Sequence, residues 1–302
     1  MQITSYNRSL YLNCRTMQVI SYLSSINAPI ELLFYNAMES SDKIFDQIIT
    51  QRKSRYQYKT NLLIPEDLEL IGVRENFITV NNLSEIESVL VNLIAKEKVV
   101  FIWLDQFYFS HRAFYLTKHN FHSFIINSLE ISENDRYYHF IDLDPDINGK
   151  FKDEILIKSL EHSDFPINID YYDFDQSILH VNRIQRKYEE WIRSYSDSYH
   201  FYDWLSSILG ENINNHILNR VDHALAIIIG SRYLFSKYLE YINPNDIIVL
   251  KMKEIYQIAE IIKNILLKYS ITGLINEDNI KNLVKKLKKC EINMMIVLKA
   301  SI

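Results

Sequence analysis

The chain has 302 residues, 48% of them hydrophobic, and a formal net charge of −5. That length suits two ordinary cores, and the charge argues against a nucleic-acid partner. Two cysteines, Cys14 and Cys290, exclude a disulfide framework and point to a reducing, cytoplasmic setting. Residues 1–30 carry no basic stretch followed by a long apolar one. No uncharged apolar run reaches about 18 residues, so neither a signal peptide nor a membrane span is expected.

In chain order, the first pattern is the stretch SLYLNCRTMQVISYL, residues 9–23. Met17, Ile20 and Leu23 recur at helical spacing, and Asn27-Ala28-Pro29 stops the helix, because the residue before proline avoids helical angles. Cys14 therefore stands at the first helical turn. Unpaired N–H groups and the helix dipole there favour thiolate over thiol, and the same donors suit a developing oxyanion. The position equally suits a small packed thiol.

Phe77–Val80 reads as a short strand, and Asn82 or Ser84 then caps a helix with Ile86, Leu90, Leu93 and Ile94 on one face. Lys98–Leu104 is a continuous apolar run bounded by charge, the pattern of a central strand. Phe121–Asn127 and Tyr137–Leu143 follow as strands. The turn chemistry of Ser132-Glu133-Asn134-Asp135 joins them in an antiparallel hairpin, and Ile167–Tyr172 closes the series. Helices segregated from an antiparallel sheet make the fold class α+β.

From about residue 176 only helical periodicity remains, over 177–195, 199–209, 212–242, 245–270 and 277–300. Gly210, Asn243-Pro244 and Thr272-Gly273 punctuate these segments. Two domains are expected, 1–175 with the sheet and 176–302 as a helical bundle. Residues 251–302 carry ten lysines against five acids. The run from Lys281 to Lys289 is a basic amphipathic helix, suited to solvent or to an acidic partner helix.

A cysteine nucleophile needs a base, and the base an orienting group. His122 opens one strand of the hairpin, while Asp142 and Asp144 end the next, where antiparallel pairing brings strand start beside strand end. Pro145 then stops the strand. His119 and His122 have the spacing of two metal ligands, but three residues apart on a strand they point to opposite faces, so no metal is expected. His111 and Arg112 lie in a long aromatic connection that suits either substrate contacts or cover for the core. Asp105 ends its strand in a polar turn. Glycine-rich phosphate loops, a serine elbow and zinc-ribbon spacings are missing from the sequence, which excludes kinases, nucleotide-binding oxidoreductases and serine hydrolases.

An N-terminal Cys on a helix, a WLD-type strand end, a strand opening with His and a strand ending in Asp-Pro occur here in that order. They are carried by NCRTMQVISYL, IELLF, KVVFIWLDQFYF, HNFHSFIINSLE and YHFIDLDPD. This series resembles the butirosin biosynthesis protein H N-terminal family, relatives of papain-like and bacteriocin-processing cysteine peptidases. Gly230–Leu239, GSRYLFSKYL, is similar to a glycine–arginine–tyrosine helix in that family's helical domain. The resemblance implies a papain-like domain over 1–175 with Cys14 as nucleophile, His122 as base and Asp144 as its orienter. Asn7 and Asn13 are the candidates for an oxyanion amide, with Asp105, His119 and Arg232 as further candidate contacts.

It implies an acyltransferase of antibiotic biosynthesis that moves an acyl, aminoacyl or peptidyl group from a carrier protein's thioester to a small amine. The partners implied are an acyl or peptidyl carrier protein and that amine, with no cofactor beyond the carrier's phosphopantetheinyl arm. Asn13 and Arg15 flank the cysteine where the family has His and a small residue. The family's glycines after the first helix and after the histidine strand are replaced by Phe34–Glu39 and by Asn127-Ser128. These departures motivate two alternatives: a thioesterase or cysteine peptidase on the same fold, or an accessory protein whose triad has decayed.

Overall fold

The computed structural model describes residues 3–6, 12–132, 135–144, 146–209, 214–244 and 247–302. In chain order the helices are α1 (Cys14–Ser25), α2 (Ser41–Ile44), α3 (Pro65–Leu68), α4 (Leu83–Ala95), α5 (Asp153–Lys158), α6 (Val181–Ser194), α7 (His200–Ile208), α8 (Asn215–Ile242), α9 (Ile247–Thr272) and α10 (Glu277–Ala300). The strands are β1 (Val73–Val80), β2 (Val100–Asp105), β3 (Phe121–Ile131), β4 (Arg136–Leu143), β5 (Asp146–Lys152) and β6 (Ile167–Phe174). The protein is α+β with an antiparallel sheet and many helices.

The chain divides into two compact units, drawn differently from the 1–175 and 176–302 expected. One holds residues 3–6, Cys14–Ala28 and Ile71–Ile178; the other holds residues 12–13, Pro29–Leu70 and Leu179–Ile302. Pro29–Leu70 groups with the helices because it contributes no strand. It consists of short helical turns, and its Ile30–Asn36 turn packs on α8.

The first unit is a six-stranded sheet in the order β1-β6-β2-β3-β4-β5, with every neighbouring pair antiparallel. Alternation along β2 sorts its side chains between two faces. Val100, Ile102 and Leu104 join Ile86, Leu90 and Leu93 of α4, Phe124 and Ile126 of β3 and Phe140 of β4 in one core. Phe101 faces α1, where it makes edge contacts with Tyr22 (5.6 Å between centroids) and Tyr172 of β6 (5.3 Å). Trp103, two residues on, is 41% exposed in this otherwise buried strand.

Strand β5 is not among the strands expected from the sequence. Within it Gly149 pairs with Phe140 inside the ladder. A Cβ at Gly149 would stand 2.7 Å from the Phe140 ring, so the glycine leaves room for the aromatic. Across the β3–β4 hairpin, Ser132 N–H donates to Asp135 O (2.9 Å). Residues Glu133, Asn134 and Pro145 lie outside the described residues.

In the second unit, nine consecutive α8 residues from Ala224 to Arg232 are buried, so this stretch is surrounded rather than amphipathic. Asn214 caps α8 and Asn276 caps α10 through side-chain oxygens that accept from the third backbone N–H. On α10, Ile280, Val284 and Leu287 turn inward while Lys286 and Lys288 pair with Glu254 and Asp203, both at 2.7 Å. Among the described residues no helix is long and apolar enough to cross a membrane.

Candidate active site

Cys14 is the first residue of α1, and a lock one turn further along sets where it lies. The fully buried Gln18 donates through Nε2 to the carbonyl of Ser123 on β3 (2.6 Å), while the Ser123 hydroxyl donates back to Gln18 Oε1 (2.5 Å). Residues four apart share a helix face. Fixing Gln18 at Ser123 therefore brings the helix start to His122, the preceding residue of β3.

The Cys14 thiol hydrogen-bonds the His122 side chain and takes backbone N–H groups from Ser123 and from Arg15. Burial pushes the thiol up, but the His122 hydrogen bond and charge and these two N–H groups outweigh it, so Cys14 titrates below an ordinary thiol. His122 is buried, with Nε2 3.0 Å from Asp142 Oδ1. Burial opposes its charge, yet the hydrogen bonds to Asp142 and Cys14 and their charges prevail and push it up to about 9. The two groups shift in opposite senses, the thiol downward and the imidazole upward, which is the direction that favours a thiolate–imidazolium pair.

The carboxylate that holds His122 is Asp142, not the expected Asp144. Asp142 is fully buried on β4, whereas Asp144 is exposed beyond the strand end. Asp142 Oδ1 also accepts the Asp144 backbone N–H (3.1 Å). Oδ2 takes a hydrogen bond from His111 Nε2 (3.0 Å) and one from Arg112 Nη1 (3.0 Å). Burial raises this carboxyl, but those donors, His122 and the Arg112 charge hold it well below the usual carboxylate range. Arg112 Nη1 also donates to the Asp144 carbonyl, and Nη2 stands 3.4 Å from His122 Nδ1.

His111 and Arg112 come from the connection between β2 and β3, and Asp105 ties that connection at both ends. Its buried carboxylate accepts the N–H groups of Phe107 (3.1 Å) and Asn120 (3.0 Å) and meets His119 Nδ1 at 2.5 Å. Asp105 is therefore a loop anchor rather than an open substrate contact. His119 precedes β3 and stacks on Phe107 (4.3 Å), while His122 on the strand meets Asp142. Among the described residues no cluster of three metal-ligating side chains occurs.

Arg232 is also corrected from candidate contact to structural residue. It is fully buried in the helical unit, with Nε 2.7 Å from Glu291 Oε1 and Nη2 3.0 Å from Oε2, and Nη1 donates to the Glu39 carbonyl (2.6 Å). Asn13 immediately precedes α1, and Asn7 lies outside the described residues. The sequence signal for His111 and Arg112 was their position in a long connection, which carries no periodicity to reveal its return to β4.

No protein-family model matches the chain. It is 26% identical over 311 residues, covering 99% of both chains, to a protein of Niallia circulans named ribostamycin:4-(γ-L-glutamylamino)-(S)-2-hydroxybutanoyl-[BtrI acyl-carrier protein] 4-(γ-L-glutamylamino)-(S)-2-hydroxybutanoate transferase. The resemblance to the butirosin biosynthesis protein H family stands. Similarity over the whole length reaches the helical unit as well as the sheet, so it does not rest on the cysteine and histidine motifs alone.

Proposed function

We propose that the protein is a cysteine acyltransferase that takes an acyl group from a carrier-protein thioester, holds it on Cys14 and passes it to an amine of a saccharide acceptor. The observation that carries this reading is the relay Cys14–His122–Asp142, in which the imidazole hydrogen-bonds both the thiol and the buried carboxylate and the thiol titrates below its ordinary value. A cysteine opening a helix, with His and Asp on adjacent strands of an antiparallel sheet, supports a papain-like catalytic unit. The transferase relative, whose name specifies an acyl-carrier-protein donor and ribostamycin, supports the donor and acceptor classes.

Cys14 Sγ attacks the thioester carbonyl carbon, and the oxyanion forms near the N-terminal N–H groups of α1. As the tetrahedral adduct collapses, the carrier sulfur leaves and takes the proton held on His122. The acyl-enzyme is again a thioester, so this step is close to balanced in energy. Neutral His122 then removes a proton from the attacking amine, the amide forms, and Cys14 leaves as thiolate beside a restored imidazolium. Asp142 keeps the ring oriented and stabilises its charge throughout. Thioester-to-amide conversion makes the second half favourable, provided water is kept from the acyl-enzyme.

Intact-mass measurement after mixing with an acyl thioester tests this. The expected result is an adduct of the acyl mass on Cys14, discharged by an amine and missing in Cys14→Ala. Full turnover by Cys14→Ala overturns it.

A further inference from the structure

We infer that the groove lined by Trp103, Phe121, Asp164 and Asp170 binds the amine-bearing saccharide acceptor through ring stacking and carboxylate–ammonium pairs. This rests on the acyl-transfer reading for the word acceptor, but the binding itself does not. The groove is open, with a volume of about 490 Å³, and Ser163, Ile167 and Asn168 complete its lining. That is room for a saccharide of a few rings.

Its placement follows from register. Phe101 pairs with Asp170, Trp103 with Ser123, and Asp105 with Phe121. Paired residues share a face and alternate residues return to it, so Trp103, Phe121, Asn168 and Asp170 all project on the side covered by α1. Both ends of the groove touch the reactive residues through the chain. Arg15, which follows Cys14, pairs with Asp170 (Nη2 to Oδ2, 2.9 Å) and lies over Trp103 (5.7 Å). Phe121 immediately precedes His122.

Two observations bear on what occupies the groove. Trp103 and Phe121 are 41% and 38% exposed on central strands of the sheet, where the neighbouring positions of β2 are buried. The polar network below them is also incomplete. Nε, Nη1 and Nη2 of Arg15 are buried without a hydrogen-bond partner, so the contact with Asp170 is charge attraction without hydrogen-bond alignment. Asp170 therefore keeps hydrogen-bonding capacity that Arg15 does not use.

The chemistry selects the occupant. Exposed indole and phenyl faces suit the C–H face of a sugar ring and attract an ammonium. Asp164 is an exposed carboxylate at the rim, and Asp170 has Glu75 as a second acid within electrostatic range against the single charge of Arg15. The net negative field favours a polycation and repels a phosphate or carboxylate, so the donor's anionic end is disfavoured here. An amino sugar supplies donors for the carboxylates of Asp164 and Asp170, which line the groove.

The test is titration of the Cys14→Ala protein with ribostamycin, followed by tryptophan fluorescence. A saturable change is expected, and Cys14→Ala/Trp103→Phe should lose most of its amplitude although Trp191 and Trp204 remain. Asp164→Asn, at an exposed site that does not endanger folding, should weaken binding about tenfold, and Asp170→Asn by a similar factor. Raising salt to about 0.5 M should weaken it further, and sucrose should not bind. Absence of saturable binding, an affinity unchanged by Asp164→Asn and Asp170→Asn, or equal binding of sucrose overturns the inference. Acylation of wild-type Cys14 by a thioester is read separately. Acylation without ribostamycin binding sinks the groove alone, and binding without acylation sinks the transfer reading alone.

Discussion

His122 Nε2 lies 3.0 Å from Oδ1 of Asp142, while Asp144, two residues along, remains exposed. The two carboxylates should therefore behave differently on replacement. Asp142→Asn removes the ion that fixes the His122 tautomer and stabilises its proton, and Cys14 acylation should fall about 10²–10⁴-fold. Asp144→Asn should stay within about twofold, since its contacts with Arg112 and Asp142 use backbone atoms. Rates of adduct formation with an acyl thioester decide the comparison. Equal losses would move the orienting role away from Asp142.

The charge state of the dyad sets a pH window. Cys14 titrates below an ordinary thiol, so iodoacetamide should alkylate it at a pH where a free cysteine is protonated. His122 is raised to about 9, so its proton is present below that pH and lost as pH rises through it. Transfer should accordingly rise as Cys14 ionises and decline above about pH 9, while alkylation, which needs no proton donor, should continue. In His122→Ala, burial is no longer opposed by the imidazole, and the alkylation midpoint should move upward. A midpoint unchanged by His122→Ala would show that the ring does not activate the thiol.

The elements of this site differ in how readable they were. Helix α1 announces itself by its period, β2 by a continuous apolar run and β3 and β4 by apolar stretches either side of turn residues, and the helix start places Cys14. The choice between two aspartates does not follow from period, because Asp142 and Asp144 share a face. Even that face depends on an irregularity. Counted from Ile131↔Arg136 and Leu129↔Tyr138, an unbroken ladder would put Leu143 on the face of Phe124 and His122. The shift between Ile126 and Ser128 leaves Asn127 as the extra residue and brings Asp142 there instead. His111 and Arg112 were harder still, since the connection holding them is placed by the buried Asp105 and not by any repeat. β5 carries no strand pattern either, since Asn148 and Gly149 are poor strand formers, and Gly149 is required there by the space Phe140 takes.

Gln18 should matter for both stability and reactivity. Gln18→Ala strands the Ser123 hydroxyl and carbonyl in a buried place and should cost about 2–4 kcal/mol in urea unfolding. It also loosens the turn that begins at Cys14, so the variant, while folded, should alkylate more slowly at neutral pH. A stability loss with Cys14 reactivity unchanged would mean that α1 is positioned by its apolar face alone.

Arg232 is a structural arginine rather than a substrate contact, and its replacement should show it. Arg232 and Glu291 are both fully buried and joined by two hydrogen bonds. Removing either partner leaves an uncompensated charge in the core, so Arg232→Met and Glu291→Met should each cost about 3–5 kcal/mol. The double variant removes both charges and should regain much of that loss. Recovery stays partial because the Glu39 carbonyl loses the donor at 2.6 Å that Arg232 gave it. Urea midpoints measure the pair, and Cys14 acylation measures the site. A folded Arg232→Met/Glu291→Met protein that acylates at the wild-type rate confines Arg232 to holding the helical unit together. A folded double variant that loses acylation would instead return this arginine to the chemistry, through a route that passes beyond the buried pair itself.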